Sequence, residues 1–149
     1  MIATTKFQLQ TVAQTTAEDR QTLDHLISGS FNNKSRLDEF TWVAYCKANS
    51  GGGPIIGAVG LYWIQEGYLC LNQLCVAKAF RRHGIGSWLL GRVVAACPGA
   101  KMALYVDKGR PNTDWLVEFY QRHGFTQVET GSGGVKYDSA VEFLLVRKP

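Results

Sequence analysis

Hydrophobic and polar residues change their spacing several times along the chain, and each change marks an element. Phe7 and Leu9 alternate with Gln8 and Gln10, the two-residue period of a half-buried strand over residues 7–12. Thr15-Thr16-Ala17-Glu18 reads as a capping box, the Thr15 hydroxyl taking an orphan amide while Glu18 reaches back. Leu23, Leu26 and Ile27 follow at helical spacing, with Gly29 as the expected stop. Residues 30–40 are polar, and a short helix is expected there. Three strands, 41–48, 55–65 and 68–76, are rich in Val, Ile, Tyr and Trp. The glycine-rich stretch 49–54 and Glu66-Gly67 separate them as hairpin turns, which makes them antiparallel neighbours.

The period then lengthens. Ile85, Trp88, Leu89, Val93 and Ala96 define a helix that Pro98-Gly99 ends, and residues 102–107 form a strand. Trp115, Leu116, Phe119 and Tyr120 place a helix over 113–123, stopped by Gly124 in the left-handed conformation. Two last strands, 125–130 and 141–147, flank the glycine-rich loop 131–134. An antiparallel meander followed by strand–helix–strand–helix–strand–strand predicts an α/β fold, a mixed sheet with helices on both faces.

Composition narrows the class. The 149 residues, 46% apolar and 19% charged, suit a single globular domain over 1–149 that needs no staples. No apolar run approaches the ~18 residues of a membrane span, and the start of the chain lacks the apolar stretch of a signal peptide. Cys46, Cys70, Cys75 and Cys97 form no Cys-x-x-Cys and lie in apolar segments, so they read as buried thiols of a cytoplasmic protein. A net charge of +4, scattered along the chain, gives no footprint for nucleic acid. His25, His83 and His123 have no metal-ligand spacing, so no metal is expected. The triple glycine 51–53 runs into Pro54 and reads as a hairpin tip.

The chemistry concentrates in one turn. Arg81, Gly84 and Gly86 form Arg-x-x-Gly-x-Gly directly at a helix start. Glycine allows close backbone approach to a ligand, and the opening amides of a helix lack internal partners and carry partial positive charge. A diphosphate would therefore meet amides from Arg82, His83, Gly84, Ile85, Gly86 and Ser87, with Lys78, Arg81, Arg82 and His83 adding cationic side chains. A Walker loop is excluded because no lysine separates Gly86 from Ser87. A dinucleotide turn lacks its third glycine, since Leu89 stands there, and seven residues separate Val76 from Gly84.

Two motifs together resemble the GNAT superfamily of acyl-CoA-dependent N-acetyltransferases. The first is Leu74-Cys75-Val76 at a strand end, then Arg81-Arg82-His83-Gly84-Ile85-Gly86 opening a helix. The second is Phe119-Tyr120-Gln121-Arg122-His123-Gly124-Phe125 at the end of the next helix. The element order fits from Phe7 to Arg147. The resemblance implies that strands 68–76 and 102–107 run parallel and splay apart, leaving backbone groups of Leu74, Cys75 and Val76 for the pantetheine arm of acetyl-CoA. A bulge in the first of these strands would help open it. It implies that the Val76 N–H meets the thioester oxygen and that Tyr120 is the general acid for the departing thiolate. A polar residue seven positions before that Tyr often contacts the cofactor, which here selects Thr113 or its neighbour Asn112. The positions where many members carry a basic Glu or His are Cys70 and Asn72, neither of them a base. A relay through water to Glu66 or Asp107 is the remaining route, with Asp107 the candidate base.

The expected activity is transfer of an acetyl group from acetyl-CoA to a primary amine by direct attack. A small-molecule amine such as a polyamine comes ahead of a peptide or protein amine. Acceptor choice is expected to rest on residues 15–40 and on the loops before Pro54 and after Thr130. No nucleic-acid or membrane partner is expected; homodimers are common in the family, though no dimer motif is visible. The alternatives are a non-catalytic acyl-CoA-binding module and, behind it, a dinucleotide-dependent oxidoreductase.

Overall fold

The computed structural model describes residues 5–64, 67–128 and 135–149. Its strands are β1 (Lys6–Thr11), β2 (Trp42–Lys47), β3 (Ile55–Trp63), β4 (Tyr68–Val76), β5 (Lys101–Asp107), β6 (Thr126–Val128) and β7 (Glu142–Arg147). The helices are α1 (Ala17–Ser30), α2 (Ile85–Ala96) and α3 (Thr113–Arg122). Hydrogen bonds order the strands β1-β2-β3-β4-β5-β7-β6 in one mixed α/β sheet. β4 and β5 pair in parallel, Tyr68 with Lys101, Leu69 with Met102 and Cys70 with Ala103, as the resemblance implies. The chain divides into two compact units, Met1–Tyr62 with Asn72–Ala96 and Trp63–Leu71 with Cys97–Pro149.

In the first unit, β2 shows how alternation builds two cores. Val43 and Tyr45 point to one face, where Leu23 and Ile27 of α1 meet Leu37, Phe40, Ala58 and Cys75. Cys46 points to the other, where Ile85 of α2 joins Ala48 and Ile56, with Val76, Phe80 and Trp88 packed alongside. Arg92 on α2 lies 5.3 Å from the centroid of the Phe7 ring and 5.6 Å from that of Trp88. The start of α1 is tied to the sheet by polar contacts. The fully buried Tyr45 donates its hydroxyl to Asp19 at 2.9 Å, Gln10 donates to the same hydroxyl, and Lys47 pairs with Asp19 at 3.0 Å. Burial pushes the Cys46 thiol up to about 12 and the Cys75 thiol up to about 11.

In the second unit β7 is the organiser. It pairs with β5 from Met102↔Arg147 to Asp107↔Glu142 and with β6 from Thr126↔Val146 to Val128↔Leu144. Leu144 and Val146 pack with Tyr68, Ala103 and Val135.

Several local expectations are corrected. The α1 cap is Thr16, whose hydroxyl accepts from the Asp19 amide at 3.1 Å, and not Thr15. Thr15 instead closes the short 3-10 turn Val12–Gln14, donating to the Val12 carbonyl at 2.6 Å. α1 runs past Gly29 to Ser30 and ends where Asn32 and Asn33 take left-handed φ values of 52° and 64°, a conformation asparagine tolerates. The helix expected over 30–40 shrinks to the 3-10 turn Leu37–Glu39, and the residues just before it bond distant partners, Ser35 to Asp24 and the Arg36 amide to Gln73. Cys97 is half-buried and not buried like the other three thiols. Gln65, Glu66, the end of the strand expected over 125–130, and the loop 131–134 lie outside the described residues.

Gly60 on β3 is required by close approach. A Cβ there would sit 2.0 Å from the Phe40 ring, which stacks on Tyr62 with centroids 6.1 Å apart. Gly60→Ala is expected to cost about 1–3 kcal/mol through overpacking and to lower Tm by roughly 5 °C in a thermal melt.

Candidate active site

The first unit carries the strand end and the turn that the two-glycine motif predicts. β4 is extended until Gln73, whose φ of 55° puts a non-glycine residue in the left-handed region directly before Leu74. The strand nevertheless runs on to Val76, so the irregularity lies at Gln73, one residue before the Leu74–Val76 segment where a bulge is expected. Cys75 is buried towards α1 and Val76 packs on the α2 side, so the last residues of β4 are anchored in both cores. The chain leaves the strand under control. The Ala77 amide donates to the Ile56 carbonyl at 2.8 Å, and Arg81 turns back to donate its Nε to the Val76 carbonyl at 3.0 Å.

From there the turn opens α2. Arg81, Arg82, His83 and Gly84 are exposed, whereas Ile85 is 1% exposed and pins the helix start into the core. Arg82 and Gly84 both take left-handed φ values, 68° and 75°. Nothing lies within 4 Å of where a Cβ on Gly84 would sit, so the space over the turn is open. The Trp88 amide donates to the Gly84 carbonyl at 2.9 Å. The amides of Ile85 and Gly86 come before that bond and have no acceptor one helical turn back. Gly86 is half-buried and Ser87 exposed. An exposed, uncluttered helix start with cationic side chains beside it fits a diphosphate group.

The second unit holds Tyr120, Asp107, Asn112 and Thr113. The Tyr120 ring meets Phe119 and Phe125 edge-on, at centroid distances of 5.2 and 5.9 Å. Its carbonyl accepts from the amides of His123 and Phe125, at 3.0 and 3.2 Å. Gly124 makes that reversal possible with φ of 89°, and Arg147 on β7 donates its Nε to the His123 carbonyl at 3.1 Å. The motif residues Tyr120, Gly124 and Phe125 thus form one locked helix end. Burial pushes the Tyr120 hydroxyl up to about 12, so it holds its proton across the physiological range.

Thr113 is buried and acts on the backbone. Its hydroxyl donates to the Asp107 carbonyl at 2.7 Å and accepts from the Arg110 amide at 3.0 Å, closing the loop between β5 and α3. Asn112 is exposed and its carbonyl starts the helix by accepting from Leu116 at 2.9 Å. The Asp107 carboxylate is 67% exposed and lies 3.6 Å from Arg110. Cys70 is buried and Asn72 half-buried.

Two residues near these positions escaped the sequence reading. Glu142 lies directly across the ladder from Asp107, and burial, then the neighbouring charge of Asp107, raises its carboxyl. Only the strand register pairs the two, and no local spacing signals it. Gln73 is the other; its one visible mark was a polar pair, Asn72-Gln73, in a strand otherwise apolar or aromatic.

The comparisons bear on family and fold. The family model for the acetyltransferase (GNAT) domain matches residues 38–127. The chain belongs to the GNAT acetyltransferase family, and is thereby an acyltransferase whose acyl donor is acetyl-CoA. No curated protein matches the sequence with significance. Among solved structures, Escherichia coli ElaA superposes with a TM-score of 0.74 at 14% identity, over 97% of this chain and 99% of that one. A GNAT family acetyltransferase from Elizabethkingia anophelis with acetyl-CoA bound gives 0.69 at 18% identity, over 99% of each chain. Arabidopsis thaliana Naa50, in complex with the bisubstrate analogue CoA-Ac-MVNAL, gives 0.64 at 18% identity, over 96% and 99%. At these identities the likeness is one of fold. No helix among the described residues is long and apolar enough to cross a membrane.

Thr113→Val keeps the shape but strips two backbone groups of their partner. It is expected to cost about 1–3 kcal/mol in a urea melt, and more than the exposed control Asn112→Ala.

Proposed function

We propose that residues 1–149 work as one N-acetyltransferase domain that moves the acetyl group of acetyl-CoA directly to a primary amine. The observation that carries the reading is the exposed turn with left-handed Arg82 and Gly84 opening α2, a backbone cradle suited to the cofactor's diphosphate. Arg81, Arg82, His83, Gly84, Ile85, Gly86 and Ser87 form that cradle, and Leu74, Cys75 and Val76 offer backbone groups to the pantetheine arm. In the reaction the amine lone pair attacks the thioester carbon, the C–S bond breaks, and the acetyl group stays on nitrogen. The Val76 N–H stabilises charge on the thioester oxygen. Tyr120 is the general acid: it gives its proton to the departing thiolate and recovers one from the nitrogen as the amide forms, and its raised pKa keeps it protonated until then. Asn112 and Thr113 border the cofactor on this reading. The ammonium proton leaves through water, with Asp107 as the carboxylate acceptor and Glu142 opposite it as a second.

A small-molecule amine such as a polyamine is the preferred acceptor. The likeness to Naa50 with its peptide analogue favours keeping a peptide amine as the second reading. Four free cysteines, three of them buried, are consistent with a cytoplasmic protein. Thiol release from acetyl-CoA, followed across polyamines, aminoglycosides, amino acids and peptides, tests the reading. Acetyl-CoA binding without thiol release from any amine would leave a non-catalytic acyl-CoA-binding module; stabilisation by NAD(P)H alone would mean an oxidoreductase.

Tyr120→Phe is expected to lower kcat by about 10²-fold while the acetyl-CoA Kd stays within about twofold. In the unaltered enzyme, deprotonation of Tyr120 begins only near its raised pKa of about 12. The rate should therefore climb with pH as the acceptor loses its proton, without an alkaline fall from this residue below about pH 11. Gly84→Val forces a branched side chain into left-handed backbone and over the cradle. It should weaken acetyl-CoA binding at least roughly tenfold by calorimetry.

A further inference from the structure

Gln73 makes two hydrogen bonds at once to a distant stretch of backbone. Its Oε1 accepts from the Arg36 amide at 2.8 Å and its Nε2 donates to the Lys34 carbonyl at 2.9 Å. The side-chain carboxamide thus stands in for a peptide group and holds residues 34–36 as a ladder partner would. The left-handed backbone at Gln73 is uncommon for a non-glycine residue, and it coincides with this grip on the far segment.

The segment it holds is pinned from its other side as well. Ser35 donates to Asp24 on α1 at 2.7 Å, Arg20 on α1 bonds Asp38, and Arg36 grips Glu39 with two bonds of 3.1 and 3.0 Å. Leu37, fully buried, follows immediately. Residues 34–39 therefore form a fixed strap between α1 and β4, with Gln73 as the attachment on the β4 side. Val76 lies three residues beyond Gln73, so at most about 11 Å of chain separates the two. On the N-acetyltransferase reading, an amine attacking a thioester held at the Val76 N–H approaches the end of β4 to which the strap is bonded.

We propose that Gln73 is a positioning residue for the acceptor: it fixes the 34–39 strap beside the reacting thioester and so sets the affinity for the amine, without touching acetyl-CoA. This rests on the N-acetyltransferase reading above. Gln73→Met keeps length and removes both bonds; Gln73→Glu keeps the acceptor for the Arg36 amide and loses the donor to the Lys34 carbonyl.

The test is steady-state kinetics of the full chain with its best amine from the panel, alongside tryptic cleavage after Lys34 and Arg36 in the folded protein. The expected result for Gln73→Met is an acceptor KM about tenfold higher, with the acetyl-CoA KM and kcat within about twofold and faster cleavage at both sites. Gln73→Glu should fall between it and the unaltered protein. An unchanged acceptor KM, unchanged cleavage, or an equal loss towards acetyl-CoA overturns the proposal. If the unaltered protein turns over no amine, the N-acetyltransferase reading itself fails and takes this one with it. That outcome is recognised because it precedes any substitution.

Discussion

The passage from β4 into α2 is the constraint on which the site depends. An extended strand must become a helix within a few residues while its amides stay turned outward and its ends stay fixed. The ends are fixed by burial: Cys75 and Val76 in the cores on either side, Ile85 beneath the helix start. The span between is fixed by two bonds, from the Ala77 amide to Ile56 and from Arg81 to the Val76 carbonyl. What remains free of side-chain crowding is the turn itself, because Arg82 and Gly84 take left-handed conformations and Gly84 carries no Cβ. A pre-shaped backbone surface of this kind binds without reorganising.

The helix end at Tyr120 follows the same rule in the second unit. Its ring is set by Phe119 and Phe125, and its carbonyl by the reversal at Gly124. Each of the two motifs thus contains a backbone reversal at a glycine of positive φ, Gly84 or Gly124, followed by a buried residue, Ile85 or Phe125.

This is also why the sequence was legible where it was. β2, β3 and β4, buried on both faces for much of their length, were legible through their Val, Ile, Tyr and Trp content, and α2 and α3 through helical spacing; the element limits fall within one or two residues of the pattern. Caps were less legible: Thr15 and Thr16 are chemically equivalent, and the 3-10 turn Val12–Gln14 decides between them by taking Thr15 for itself. The stretch 30–40 was opaque because its order comes from distant partners, Asp24, Arg20 and Gln73, and not from any period of its own. Glu142 was invisible for a related reason, since it meets Asp107 only through the pairing of β5 with β7.

The thiols deep in the first unit have a practical side. Cys46 and Cys75 face a hydrocarbon interior that suppresses the reactive thiolate far beyond neutral pH. Disulfide-based colour reagents and maleimide dyes should leave them alone in the folded enzyme. The same seclusion makes their labelling a sensitive signal that the sheet has opened.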